Sequence, residues 1–436
     1  MRCFHRSLLF LIALLVSASQ VSAQRSEPII RVHVLARVAP QTLTVRATDG
    51  TLTIYSNRDD TPIHRLMSGE STTIERVGDR IRISTPGGTV QARVAEVVPS
   101  NHSTVDIRTG SHHRRYHGAL SIEIDNSRRA LRLVNYVPLE DYVASVVASE
   151  YPFQEIEGVK AQAVLARTYA LRSREPDQPF DLEDDTRAQM YEGAERETSI
   201  SREAVEATRG KVLTYRGSLA EALYYSSSGG HTASNEDIWN TRPISYLRGR
   251  PDPYDSAAPD HRWTTSVSAH RLLSALSQRY GGSVSAIETA QRAPSGHVTR
   301  VRLVNSRQGS ITGSQFRSAV NATFGSRTLR STNFSVERNG SHYVFHGKGF
   351  GHGVGMSQFG ARGQALQGRS YIDILSFYFV GTTIDYIDSS LADQPLVTER
   401  SANRREYPPV VRVSDERDAA WSGRDESETT PRRTAW

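Results

Sequence analysis

Residues 137–152 read Val137-Pro-Leu-Glu-Asp-Tyr-Val-Ala-Ser-Val-Val-Ala-Ser-Glu-Tyr-Pro152. Pro138 suits a first helical turn, and Pro152 ends the helix just after Glu150, since a proline ring cannot continue it. Leu139, Val143, Val146 and Val147 recur at helical spacing and mark an apolar stripe. Glu150 follows at the same spacing and falls on that stripe, at the helix C-terminus. Burial and the negative end of the helix dipole both disfavour a charged carboxylate there. A general acid working near neutral pH needs such an environment.

Working outward, a second helix is predicted from Ile156 to Arg174, with Lys160, Val164 and Arg167 on one face. Lys211-Val-Leu-Thr-Tyr and Leu219-Ala-Glu-Ala-Leu-Tyr-Tyr read as strands, the latter ending in the turn Ser226-Ser-Ser-Gly-Gly230. Further helices are expected over His270 to Tyr280, Ser357 to Leu366 and Ile372 to Phe379, with strands at Val298 to Val304 and Ser341 to Phe345. Helices and strands are segregated, so the class is α+β. Before this core, Ile29 to about Ile124 alternates polar and apolar residues between turns such as Asp49-Gly50 and Pro86-Gly-Gly88, which reads as a β-rich region. The run His112-His-Arg-Arg-Tyr-His117 is read as a solvated loop rather than a metal site, because adjacent residues of a strand face opposite ways.

The second decisive stretch is Gly347-Lys-Gly-Phe-Gly-His-Gly-Val-Gly-Met-Ser-Gln-Phe-Gly-Ala361. Alternate glycines weaken a strand, so they belong where backbone turns sharply or lies close against a ligand. The dinucleotide fingerprint is not met, since Val354 stands where its third glycine belongs, and the Walker lysine–serine pair is missing.

Together these segments resemble the SpoIID/LytB family of bacterial cell-wall proteins over roughly residues 130–388. The motifs, in the family's order, are VPLEDYVASVVASEYP, KAQAVLARTYAL from Lys160, YYSSSGGHTASNEDIW from Tyr224 and GKGFGHGVGMSQFGA. The resemblance implies a lytic transglycosylase that cuts the MurNAc–GlcNAc strand of peptidoglycan with Glu150 as its acid and base. One carboxyl group suffices there, because the sugar's own 6-hydroxyl attacks C1, unlike the paired acids of ordinary glycosidases. Lys160, Arg167, Asp184, Gln189, Tyr191, Tyr225, Ser226, His352 and Gln358 are the expected substrate-binding residues. Some members carry a Cys-Asp-x-x-His-Cys-Gln-x-Tyr metal site, whereas this chain reads Glu183-Asp-Asp-Thr-Arg-Ala-Gln-Met-Tyr191. Arginine and alanine cannot ligate zinc, so no metal and no cofactor are expected. A salt bridge from Glu183 to Arg187 could stand in for the lost clip.

Two rival readings remain open on sequence. The amidase-enhancer branch shares these motifs and implies a peptidoglycan-binding protein without catalysis, whose partner is an N-acetylmuramoyl-L-alanine amidase. A serine hydrolase built on Ser228 with His231 or His352 lacks the Gly-x-Ser-x-Gly elbow.

Residues 1–23 read as a secretory signal: Arg2 and Arg6, the apolar run Leu8 to Val16, and the small-residue site Val21-Ser-Ala23. An uncleaved anchor is the alternative, although the run is short for a span. Cys3, the one cysteine, would leave with the signal, so thiolate chemistry and disulfides are excluded from the mature chain. The protein is therefore expected outside the cytoplasm, in the periplasm or envelope, and free of the membrane after cleavage. A net charge of +6 is scattered among acids, which argues against nucleic acid as a partner. The organisation expected is signal 1–23, a β-rich region 24–129 packed against the core or inserted as its early strands, core 130–388 and a disordered tail 389–436, too polar to order itself.

Overall fold

The computed structural model describes residues 27–387, apart from 58, 60, 101, 102 and 185–187. The expected signal and tail and the Glu183–Arg187 bridge lie outside the described residues. Strands first form two layers, antiparallel but for one short parallel edge pair. The six-stranded sheet runs in the order His112–Tyr116, Val105–Thr109, Thr42–Ala47, Ser71–Val77, Arg80–Thr85, Gly88–Ala92. Alternation puts Leu43, Val45, Ile81 and Ile83 inside. His112–Tyr116 is thus a strand, not the loop expected, and its histidines diverge. His113 meets Asp106 and Glu195, while His117 meets Glu197.

The seven-stranded sheet decides the architecture. Ile29–Val34 pairs antiparallel with Ala130–Pro138, which pairs on its other side with Ala119–Asp125. Val32 and His33 also pair in parallel with Leu182 and Glu183. The sequence boundary at residue 130 therefore falls between two paired strands of one sheet. One apolar core takes Ile30, Val45 and Leu120 from the strands and Val143, Val164 and Phe379 from the helices.

Ala130–Pro138 leads straight into helix α1 (Leu139–Glu150), which starts without a side-chain cap. Glu140 and Asp141 in its first turn complement the dipole, and the Glu140 N–H donates to a Glu27 carboxylate oxygen at 2.6 Å. The apolar stripe is only part of what is covered: Glu140, Tyr142, Ala144, Ser145 and Ser149 are buried too. Helix α2 (Ile156–Arg172) packs on α1. Helix α3 (Ser199–Ala207), unanticipated from sequence, starts at a capping box between Thr198 and Ser201. The long strand expected from Leu219 is broken, with only Ser218–Leu219 and Tyr224–Tyr225 in ladders.

After the short helix α4 (Asn235–Trp239) the chain builds a second unit with its own core of Trp263, Leu272, Val301, Phe316 and Phe345. Its sheets, Arg262–Ser268 with His342–Lys348 and Phe334–Asn339, and Gly282–Arg292 with Val298–Ser306 and Ser310–Thr312, carry α5 (Ala269–Tyr280) and α6 (Gly313–Phe324). The chain then returns to the first core. Met356–Ser357 pairs in parallel with Tyr224–Tyr225, followed by α7 (Gln358–Leu366) and α8 (Tyr371–Tyr378). The class is α+β, as expected.

A chain beginning at residue 130 would expose the edge of Ala130–Pro138 and lose the N-terminal strands' share of the common core, Ile30, Val45 and Leu120 among it. It is expected to show no cooperative unfolding transition and rapid proteolysis, measured by circular dichroism and trypsin. A stably folded remainder would overturn the single-core description.

Candidate functional site

Glu150 is the last residue of α1, with Tyr151 already non-helical ahead of Pro152. Its side chain is 4% exposed. One carboxylate oxygen accepts the Met190 N–H at 2.9 Å, and its backbone carbonyl accepts the Gln358 amide at 2.9 Å. Segments far apart in sequence therefore close on one residue, one at its carboxyl group and one at its main chain. Phe153 and Phe359, with ring centroids 4.9 Å apart, form a half-buried apolar patch beside it, and the Arg362 guanidinium lies 4.9 Å over Phe153.

The stretch 189–191 works from inside. Gln189, fully buried, accepts from the Tyr142 hydroxyl at 3.1 Å and donates to the Tyr224 hydroxyl at 3.0 Å. The Tyr191 hydroxyl donates to Asn135 at 2.8 Å, its ring stacked between Tyr116 and Tyr142. The Asp184 carboxylate accepts the Leu35 N–H at 2.6 Å, which ties this stretch to the first strand. The expectation that Gln189 and Tyr191 touch sugar is corrected accordingly: their polar atoms are spent on the loop that presents Met190 to Glu150.

Arg167 is a second correction. It is 0% exposed, grips both carboxylate oxygens of Glu140 and donates to the Lys211 carbonyl at 2.9 Å. No substrate can reach it. Lys160 lies on the outer side of α2 and pairs with Glu157 at 2.7 Å. Ser226 is half-buried, and its carbonyl accepts the Phe359 N–H at 3.0 Å.

His352 sits in the glycine run with both ring nitrogens engaged. The Val354 N–H donates to Nδ1 at 3.1 Å, which leaves the proton on Nε2 for the Tyr224 carbonyl at 3.0 Å. The ring packs 5.2 Å from Tyr225 and 5.3 Å from Trp239. Trp239 was not singled out from sequence, although it closes the YYSSSGGHTASNEDIW motif. The glycines serve the protein's own packing. A Cβ on Gly355 (φ +81°) would lie 2.2 Å from the Leu223 carbonyl oxygen, and one on Gly353 (φ +86°) 2.7 Å from His297. The ligand-approach reading of these glycines is therefore replaced by backbone threading between two cores.

Behind this layer lie buried carboxylates that no sequence pattern announced. Asp255 accepts from the Ser227 hydroxyl and the Gly229 N–H, both at 2.7 Å, and meets His261 Nδ1 at 2.9 Å. Asp252 accepts from the Tyr378 hydroxyl at 2.9 Å. Burial, and then the neighbouring Asp255, push the Asp252 carboxyl up to about 6. His297 is buried against Gly353, and burial, followed by His231 and Arg317, pulls its imidazole down to about 3. Neither histidine serves Ser228 as a base, since the serine side chain bonds the Asp252 carboxylate, His231 bonds the Thr232 carbonyl and His352 is engaged as above. Among the described residues, no cluster of three or more histidine, cysteine, aspartate or glutamate side chains could hold a metal.

A family model described as stage II sporulation protein (SpoIID) matches residues 127–215, and one described as a domain of unknown function matches 254–355, the inserted unit. The chain is 34% identical to stage II sporulation protein D of Bacillus amyloliquefaciens, over 59% of this chain and 77% of that protein. It is 32% identical to the Bacillus subtilis (strain 168) protein of the same name, over 67% and 88%. It is also 30% identical to an amidase enhancer of Bacillus subtilis (strain 168), over 66% of this chain and 46% of the enhancer.

The buried pair of titratable groups sets an acid response. His297 stays neutral when folded down to about 3 but takes up a proton near 6.5 when unfolded, so stability falls as pH drops through that window. Asp252 acts in the opposite sense between about 6 and 3.8, because the folded state holds its proton more tightly. Urea unfolding at pH 7, 5 and 4 should show a shallower acid loss in His297→Asn and a steeper one in Asp252→Asn. Parallel curves for all three proteins would refute the assignment.

Proposed function

The chain belongs to the SpoIID family, and from that premise we propose an exported, peptidoglycan-active lytic transglycosylase with Glu150 as its general acid and base. The observation that carries this reading is the packing around Glu150: at the end of α1 its nearly buried carboxyl group accepts the Met190 N–H, while Gln358 of the glycine-rich motif ties down the backbone carbonyl of the same residue. In its protonated form Glu150 delivers a proton to the glycosidic oxygen as the bond to C1 breaks. The resulting carboxylate takes the proton of the sugar's 6-hydroxyl, which attacks C1 and closes a 1,6-anhydro ring. Proton and electron pair both return to the starting state of the enzyme. The Met190 N–H holds the carboxyl group in place throughout. The half-buried rings of Trp239, His352, Phe153 and Phe359 offer faces suited to the apolar faces of sugars, with the buried Tyr225 backing His352. His352 contributes as a ring and a spacer, since its nitrogens already serve the fold.

The family's metal motif does not fit this chain. Ala188 has no donor atom, and the Asp184 carboxylate is taken by Leu35. No step is therefore routed through a metal. The likeness to an amidase enhancer favours a second reading, in which the same site binds glycan and stimulates a separate cell-wall amidase without cleaving. The address proposed is the cell envelope; among the described residues, no helix is long and apolar enough to cross a membrane.

Incubating peptide-stripped glycan with the protein should yield ends in 1,6-anhydro-N-acetylmuramic acid by mass spectrometry. Glu150→Gln keeps size and the acceptor for Met190 but removes the acid, so turnover should fall by about two to four orders of magnitude while binding persists. His352→Ala should act more mildly. Wild-type turnover in Glu150→Gln would refute the catalytic assignment. If neither protein cleaved, yet both raised amidase activity, the enhancer reading would stand instead.

Activity is also expected to survive chelation. Stoichiometric zinc in the purified protein, together with loss of cleavage in EDTA, would overturn the metal-free mechanism.

A further inference from the structure

The last described strand, Thr383–Tyr386, pairs antiparallel with Lys211–Tyr215 on one side. Among the described residues its other edge pairs with nothing, so a row of main-chain donors and acceptors faces outward. Alternation splits its side chains between two faces. On one face, Thr383 and Asp385 both reach the Thr214 hydroxyl. On the other, Ile384 lies opposite the buried Leu213, and Tyr386 lies opposite Lys211. The Lys211 ammonium sits 5.8 Å over the Tyr386 ring and 5.5 Å over that of Tyr371.

This corner also carries the most exposed large apolar side chains among the described residues. Tyr386 is 66% exposed, Leu366 64% and Val380 58%, and Ile372, next to Tyr371, is 50% exposed. Single exposed apolar residues are ordinary, but a group of them beside an open strand edge calls for a cover.

The chain itself continues from here. The Ile387 N–H donates to the Gly210 carbonyl at 2.8 Å, and residues 388–436 follow. Their longest strand-favouring run is Val410-Val-Arg-Val413, three valines in four, entered from Tyr407-Pro-Pro. Proline cannot donate to a ladder and is confined to the start of a strand, so Pro408 and Pro409 limit the run to Val410–Val413. Its length matches the 4 residues of Thr383–Tyr386. The intervening residues 388–409 can span up to about 75 Å, more than a reversal needs.

We infer that Val410–Val413 of the same chain adds to the open edge of Thr383–Tyr386 as an antiparallel strand. Charge sets the register. Arg412 opposite the exposed Asp385 pairs opposite charges across the strands, and the same register sets Val411 against Tyr386 and Val413 against Ile384. A slip of one residue would put Arg412 on the apolar face and lose the charge pair. The Gly210 N–H bonds Glu140 in the first turn of α1, so the docked strand lies at the end of that helix away from Glu150. The inference is therefore independent of the glycan-cleaving reading.

Hydrogen exchange followed by mass spectrometry on the full chain tests it. Amides 384–386 and 411–413 should both be protected. The double variant Val411→Asp/Val413→Asp, which alters neither core, should speed exchange in both segments by about tenfold or more. Exchange of 411–413 at the rate of a free peptide in the wild type would overturn the inference. So would protection of 411–413 with no effect of the variant on 384–386, since the segment would then dock elsewhere. Protection that rises with protein concentration would give the edge to a second copy of the chain and overturn the intramolecular strand.

Discussion

The buried ion pair between Glu140 and Arg167 orients everything that matters for the site. Arg167 donates from two faces of its guanidinium, to the Glu140 carboxylate from α1 and to the Lys211 carbonyl at the start of a strand, and Glu140 also accepts the Gly210 N–H at 3.0 Å. Two helices and a strand are locked at one point without exposure to water. Removing one partner of such a pair costs about 3–5 kcal/mol, because the other is left charged and unpaired in the core. With its first turn clamped and its flank packed on α2, α1 delivers Glu150 to the opposite end.

The glycine-rich stretch solves a different problem. It must leave the inserted unit, pass between the Ser226–Gly230 turn and His297, and enter α7 in register with Tyr224–Tyr225. A side chain at alternate positions would collide with main chain at Gly349 and Gly355 and with the side chains of Trp263, Tyr225 and His297 at Gly347, Gly351 and Gly353. The glycines therefore act as a joint between two hydrophobic cores, and His352 and Gln358 are placed by that joint. The Asp255 carboxylate reinforces it, binding the turn through Ser227 and Gly229 and the inserted unit through His261.

The hydrogen-bond path across the site runs through groups that sequence reading had assigned to substrate. Glu150 is held by Met190, the adjacent Gln189 bonds Tyr224, and the Tyr224 carbonyl accepts from His352. A shift of Tyr224 would thus disturb both ends at once. This arrangement gives Asp184 and residues 189–191 a structural use.

Much was legible in the chain itself. Prolines at both ends and an apolar 3.6-residue period specified α1 and left Glu150 on its covered face, because those signals act within a few residues. The same local logic yielded the α+β class, the second helix and the closing helices. The folded structure alone decided which polar residues face a ligand and which are consumed inside. Arg167, Gln189 and Tyr191 occupy motif positions as Glu150 does, yet their partners Glu140, Tyr142, Tyr224 and Asn135 lie tens of residues away in sequence. Hydrogen bonds of that range leave no periodic trace. Likewise the pairing of residues 29–34 with 130–138 joined two regions that composition had separated, since a strand's partner is set by the sheet it completes and not by its own sequence.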